Sequence, residues 1–134
     1  MTPLTAEWVT KAEGDFATMM RELRARKSPN PDAACFHAQQ CAEKYLKACL
    51  QELVRPFGRT HHMVVLLEAL LPSEPLWEDL RPLLQTLDAF AVEVRYPGGS
   101  ADRDDGIEAA RICREVRRRA RLHLGLARET KPPK

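Results

Sequence analysis

The stretch CFHAQQCAEKYLKACL, residues 35–50, determines how the rest of the chain is organised. When its residues are placed at about 100° each around a helix, the apolar ones span roughly two thirds of the circumference, whereas a peripheral helix needs a stripe of only ~100°. The segment therefore predicts a central helix that contacts neighbours on several sides, within a bundle or across a subunit interface. Its small residues would let those neighbours approach closely: Ala38, Ala42, Ala48 and the cysteines.

Two polar residues, Gln39 and Glu43, lie within the apolar arc and one helical turn apart. Burying an amide or a carboxylate without a partner is costly, so both side chains need hydrogen bonds. They can bond each other or a facing helix, or they can line a cleft or a two-fold interface. The remaining polar strip of this helix contains His37, Gln40, Lys44, Lys47 and Gln51.

Proline-marked loops divide the chain into helices, and no segment alternates as a strand would. The first helix is predicted from Thr2-Pro3 to about Arg26, and the second from about Asp32 to Val54. Thr60 is predicted to cap a short third helix, and a fourth begins near Arg81. The last helix is predicted from Asp102 or Asp104 to about Arg128, with an inward stripe of Ile107, Ala110, Cys113, Val116, Ala120 and Leu124.

These segments predict an all-α fold, an up-and-down bundle of four long helices plus a short extra helix. At 134 residues the chain is one domain by size, and we assign it to residues 1–128, with a flexible tail at 129–134. No apolar run reaches the ~18–20 residues that a membrane span requires, and the N-terminus lacks the pattern of a secretory signal. A cytoplasmic location is therefore expected.

The four cysteines are predicted to be buried thiols in a reducing compartment. Cys35 and Cys49 fall ~21 Å apart on one helix, too far to form a disulfide with each other. No cluster of cysteine and histidine at ligand spacing is present, so no metal and no cofactor is predicted.

Charge is distributed unevenly, although the formal net charge is only +2. Residues 68–110 carry ten acids and three bases, whereas residues 111–134 carry nine bases and two acids. The two segments can pack together and neutralise each other, or the basic one can present a face to an anionic partner such as RNA or a nucleotide. The arginines of that face are Arg114, Arg117, Arg118, Arg119, Arg121 and Arg128.

Three histidines carry separate expectations. His61, close to the start of the third helix, is expected to cap that helix, with contact to a phosphate as the alternative. His37 and His123 have no evident partner in the sequence and are expected to be solvated.

Four motifs in order give the whole chain a resemblance to the HEPN domain. WVTKAEGDF at residues 8–16 is similar to the first-helix pattern of that family, and CFHAQQCAEKYLKACL is close to its most recognisable segment. RTHHMVVLLEAL at 59–70 resembles the Thr-His motif that opens the third helix, although His62 stands where many members have Asp. VRYP at 94–97 resembles the end of the fourth helix.

The resemblance implies a bundle of four or five helices, commonly a symmetric homodimer. Members are frequently encoded beside a minimal nucleotidyltransferase that they bind, often as a toxin–antitoxin pair, and nucleotide or RNA is a possible ligand. For this chain it implies a non-enzymatic interaction module. The expected interface or cleft consists of Gln39, Gln40, Glu43, Lys44, Lys47, Arg95 and Tyr96.

Other HEPN members are metal-independent ribonucleases that use an arginine followed four to six residues later by a histidine. Arg95 stands where that arginine would be, but YPGGSAD follows it and contains no histidine. Arg55 precedes His61 at a similar spacing, although in the loop before the third helix. A ribonuclease that uses Arg95 with another base, or Arg55 with His61, is therefore the alternative function.

Overall fold

Five α-helices form the part of the chain that the computed structural model describes, residues 1–94 and 96–126, and no strand occurs there. The helices are α1 (Pro3–Arg24), α2 (Pro31–Glu52), α3 (Met63–Leu70), α4 (Arg81–Glu93) and α5 (Arg103–His123). A 3₁₀ helix, Pro75–Leu80, joins α3 to α4. The predicted all-α class is confirmed.

The longest helices begin at local capping signals. The amide of Thr5 donates to Thr2 Oγ1 over 3.2 Å at the start of α1, and the amide of Ala33 donates to Asn30 Oδ1 over 3.0 Å at the start of α2. Asp102 and Asp105 form a reciprocal capping box at the start of α5. Because these bonds satisfy amides that the first helical turn leaves unpaired, the sequence located all three starts within one or two residues.

Helix α2 lies at the centre of the domain and packs against α1, α3, α4 and α5. Six successive residues, 45–50, are all buried, so no side of the helix is free over more than a full turn. The prediction of a central helix is confirmed, and its neighbours lie within the same chain. The apolar core around it includes Met19, Tyr45, Leu46, Leu67, Leu84 and Ile112.

Two helix boundaries differ from the sequence-based expectation. Helix α3 begins at Met63, and Thr60 instead accepts a hydrogen bond from the amide of His62 over 3.1 Å. The amide of Met63 donates across the fold to Asp88 Oδ2 of α4 over 3.2 Å, so a residue distant in sequence caps this helix. Helix α5 ends at His123, before the predicted Arg128. Residues 127–134, which include Arg128 and the predicted flexible tail, lie outside the described residues.

The inward stripe of α5 is confirmed at Cys113, Val116 and Ala120 but is wrong at Ile107, whose side chain is 49% exposed. The reason is a close approach of helices at Gly106, where an added Cβ would lie 3.3 Å from Leu23 Cδ2. Because Gly106 takes the inward position in the first turn, the next residue turns outward.

All four cysteines are buried free thiols, as predicted. Within residues 1–94 and 96–126, no helix has the length and apolarity to cross a membrane. The same part of the chain contains no group of three or more potential side-chain ligands placed to hold a metal ion.

Candidate functional site

A chain of hydrogen bonds runs through the buried side of α2, and we call it the polar cluster: Gln39, Gln40, Glu43, Lys47, His61 and Asp88. Gln40 Nε2 donates to Gln39 Oε1 over 2.8 Å, and Gln39 Nε2 donates to Glu43 Oε1 over 3.2 Å. Lys47 Nζ donates to Glu43 Oε2, also over 3.2 Å. The predicted burial of Gln39 and Glu43 is confirmed, since they are 1% and 3% exposed.

Lys47 is buried with them, contrary to its predicted place on the polar strip. Its side chain is 7% exposed, and its ammonium group lies 5.6 Å from the ring centre of Trp8 and 5.9 Å from that of Phe57. The two rings meet edge to face at 5.9 Å. The ammonium group therefore lies beside one carboxylate and two aromatic faces, a combination that compensates for lost hydration.

Asp88 joins the cluster from α4 and was missed by sequence reasoning. Burial raises the pKa of its carboxyl above the ordinary 3.8, while hydrogen bonds from the Met63 amide and from Gln39 oppose the rise. Gln39 thus bonds the carboxylate of Glu43 and also lowers the pKa of Asp88. No local signal in the sequence indicated Asp88, because Thr60 and His61 were both available as caps for α3, although neither bonds its first amide.

His61 forms the solvent-exposed end of the cluster. Its side chain is 68% exposed, and Nδ1 lies 3.3 Å from both oxygens of Glu43. No side chain caps α3 through a local hydrogen bond, so the expectation that His61 caps it is wrong. On this side, only the exposed imidazole of His61 separates the buried carboxylate of Glu43 from solvent.

Arg55 does not join His61. Its guanidinium donates to the carbonyl of Ala69 over 2.8 Å, in the last turn of α3, whereas His61 precedes the first turn. This helix of eight residues is ~12 Å long. Within the chain, Arg55 and His61 therefore bond different partners, and Arg95, the other candidate of the ribonuclease alternative, lies outside the described residues.

Lys44 belongs to a second, separate group on the α1 side of α2. Its ammonium and the imidazole of His37 both contact the Asp15 carboxylate, the latter with Nδ1 2.8 Å from Oδ1. The expectation of a solvated His37 without a partner is therefore wrong. Tyr96 follows α4 with its side chain 66% exposed, and no described hydrogen bond connects it to the polar cluster.

The basic residues of α5 are largely paired with acids. Arg117 holds Glu13 through two bonds of 2.8 and 2.7 Å, and Arg119 holds Asp79 through two more of 2.5 and 2.8 Å. His123, expected to be solvated, has Nδ1 2.7 Å from Glu74 Oε1. These contacts favour the interpretation in which the acidic and basic segments neutralise each other.

Fold and site together define an all-α domain built around a central helix that carries a buried, internally paired polar cluster. The family model of the HEPN domain matches residues 5–123. The chain therefore belongs to the HEPN domain family, and the matched span contains α2 to α5 completely. Neither the curated proteins nor the solved structures contain a significant match to it.

Proposed function

We propose that the chain is a non-enzymatic HEPN module, an up-and-down bundle over residues 1–128, which dimerises and binds a minimal nucleotidyltransferase. Such a pair would act in the cytoplasm as a toxin–antitoxin-like system, with a nucleotide or RNA as a further ligand. Membership of the HEPN domain family supports this class of function. Its proposed interface combines the polar cluster with Lys44, Arg95 and Tyr96.

The observation that carries the proposal is the buried carboxylate of Glu43, which is bonded inside the domain yet reached from solvent through His61. Replacing a buried ion pair by apolar residues is often neutral or stabilising, so stability alone does not account for a charged pair at this position. A recognition role does account for it, because the fixed carboxylate holds the exposed imidazole of His61 where it can bond an incoming partner. Gln40 is half-buried and belongs to the same polar cluster through its bond to Gln39. Its side chain would bond the same incoming protein.

The test removes the two solvent-reachable members without breaking the buried pair. Gln40→Ala/His61→Ala is compared with Gln51→Ala/His62→Ala, which changes a half-buried glutamine of α2 and the neighbouring exposed histidine. Sedimentation velocity measures self-association, and pull-down measures binding to a co-expressed minimal nucleotidyltransferase. We expect the first pair to weaken one of the two by about tenfold or more, since two hydrogen bonds are lost and each is worth ~0.5–1.5 kcal/mol. Equal behaviour of both pairs would contradict the proposed interface.

The ribonuclease alternative makes an opposite prediction. Purified protein is incubated with RNA and EDTA, alongside Arg95→Ala and His61→Ala. The proposed module leaves the RNA intact. RNA cleavage that persists in EDTA and is abolished in either variant would show an enzyme instead.

A further inference from the structure

A groove of about 740 Å³ lies between α1 and α5, away from the polar cluster. Its charged lining consists of Arg21 and Arg24 from the last turns of α1, Arg114 from α5, and Glu13. Its apolar lining consists of Phe16, Ala17, Met20 and Ala25. The groove is wide open to solvent, and its volume is sufficient for a small ligand or for part of a larger one.

The single acid in the groove is already engaged. Glu13 accepts two hydrogen bonds from Arg117 and one from Tyr45 Oη, the last over 2.5 Å. Burial raises the pKa of Glu13, but the bonds from Arg117 and Tyr45 outweigh burial and lower it overall. The carboxylate therefore remains ionised and neutralised by its own partner, so it does not offset the other arginines.

The three arginines of the groove, by contrast, have no carboxylate within ion-pair range among the residues described. Arg21 donates to Thr18 Oγ1 over 3.2 Å, and Arg114 points at Met20 Sδ over the same distance. All three side chains are exposed. This contrasts with Arg111, Arg118 and Arg119 on the same α5 helix, each of which holds a glutamate or aspartate.

We propose that this groove binds consecutive phosphates, either the polyphosphate of a nucleotide or the backbone of an RNA strand. Three guanidinium groups line one groove, so a ligand that carries several negative charges close together would bind there best. A single carboxylate carries only one such charge. Guanidinium binds phosphate oxygens in a bidentate manner. The apolar wall of Phe16 and Met20 would accommodate a ribose or base beside the phosphates. The site rests on the proposed function for its class of ligand, a nucleotide or RNA, and it shares no residue with the proposed partner interface.

The experiment uses the full chain and two variants that lose the same number of positive charges. Arg24→Ser/Arg114→Ser removes two unpaired arginines, whereas Arg111→Ser/Arg118→Ser removes two exposed arginines that are paired with Glu108 and Glu115. Fluorescence anisotropy follows a labelled single-stranded oligouridine across a salt series. ATP and inorganic tripolyphosphate serve as unlabelled competitors, and circular dichroism verifies that both variants remain helical.

We expect the groove variant to bind the oligouridine about tenfold or more weakly at low salt, with the control close to the original chain. The slope of log affinity against log salt should decrease by about 1.4, since each phosphate contact with a single strand contributes ~0.7. Competition by ATP would identify the polyphosphate of a nucleotide as sufficient, and its absence would identify the strand. Equal loss in both variants, no binding of either probe, or competition by polyglutamate at equal charge would overturn the proposal.

Since the oligouridine assay uses neither Gln40 nor His61, its result is independent of the dimer and pull-down measurements. Loss of partner binding in the Gln40→Ala/His61→Ala variant, together with unchanged oligouridine binding, would separate the two surfaces.

Discussion

Replacement of Lys47 by methionine tests whether the centre of the polar cluster is held by charge. The side chains of Glu43 and Lys47 are 4% and 7% exposed, so water screens their attraction very little. Removing one member of a buried pair costs ~3–5 kcal/mol because the other charge stays buried. The lost contacts with Trp8 and Phe57 add ~1 kcal/mol, and burial of the methionine side chain offsets ~1.5–2 kcal/mol. We expect Lys47→Met to lower the free energy of unfolding by about 3 kcal/mol.

A double-mutant cycle isolates the contribution of the pair. Glu43→Gln leaves the ammonium group buried without its carboxylate and should also cost about 3 kcal/mol. The double variant Glu43→Gln/Lys47→Met contains no buried charge at either position, and its glutamine can still bond Gln39. It should therefore lose only about 1–2 kcal/mol, less than either single variant, which corresponds to a coupling of about 4–5 kcal/mol.

Urea unfolding, monitored by circular dichroism, gives the free energy of unfolding of the original chain, the two single variants and the double variant. The four values are comparable when the slope of free energy against urea concentration is the same. Lys11→Met is the control, because Lys11 is an exposed lysine on α1. Its effect should remain within about 0.5 kcal/mol. If Lys47→Met matched this control, or if the two single variants were additive within about 0.5 kcal/mol, the buried-pair reasoning would be refuted.

Three other predictions concern the rest of the domain. Val54 has φ +55° at the end of α2 and is 82% exposed. Val54→Gly should therefore relieve left-handed backbone strain and raise the free energy of unfolding, measured with urea, by about 0.5–1 kcal/mol, more than Val54→Ala does. The lowered pKa of Glu13 means that its stabilisation is present above pH 4.5 and is lost as the pH falls below that value. The stability gap between Glu13→Gln and the original chain should therefore narrow in acid unfolding curves. Burial raises the pKa of Cys35 and Cys49 to about 12, so in native conditions a thiol reagent should modify the cysteines only at the rate of unfolding.

The sequence predicted α2 well because the information is local. The angular position of each residue follows from its number, so a wide apolar arc indicates a central helix and indicates that Gln39 and Glu43 are buried. Their bond to each other was among the expected outcomes, because residues four apart meet on a helix. Local information also indicated the starts of α1, α2 and α5, because their capping residues lie within three positions of the amides that they bond.

Partners that come from other helices could not be predicted in this way. Asp88 caps α3 from 25 positions away, and Trp8 approaches the ammonium of Lys47 from α1. A helical wheel counts lysine as polar and places it outside, yet the long apolar stem of Lys47 lies in the interior once a carboxylate and two rings receive its charge. His37 and His123 were expected to be solvated for the same reason: Asp15 and Glu74 are remote in sequence.

The distribution of positive charge follows this division between local and non-local information. Along the chain, the basic segment begins at residue 111, but Arg117, Arg119 and His123 are held by acids from α1, the 3₁₀ helix and the turn before it. Positive charge without a carboxylate partner instead collects where Arg114 meets Arg21 and Arg24 across two helices. No window of the sequence contains these three residues together. A phosphate-binding surface here is consequently a property of helix packing, and substitutions that shift α5 against α1 should impair it even when every arginine remains.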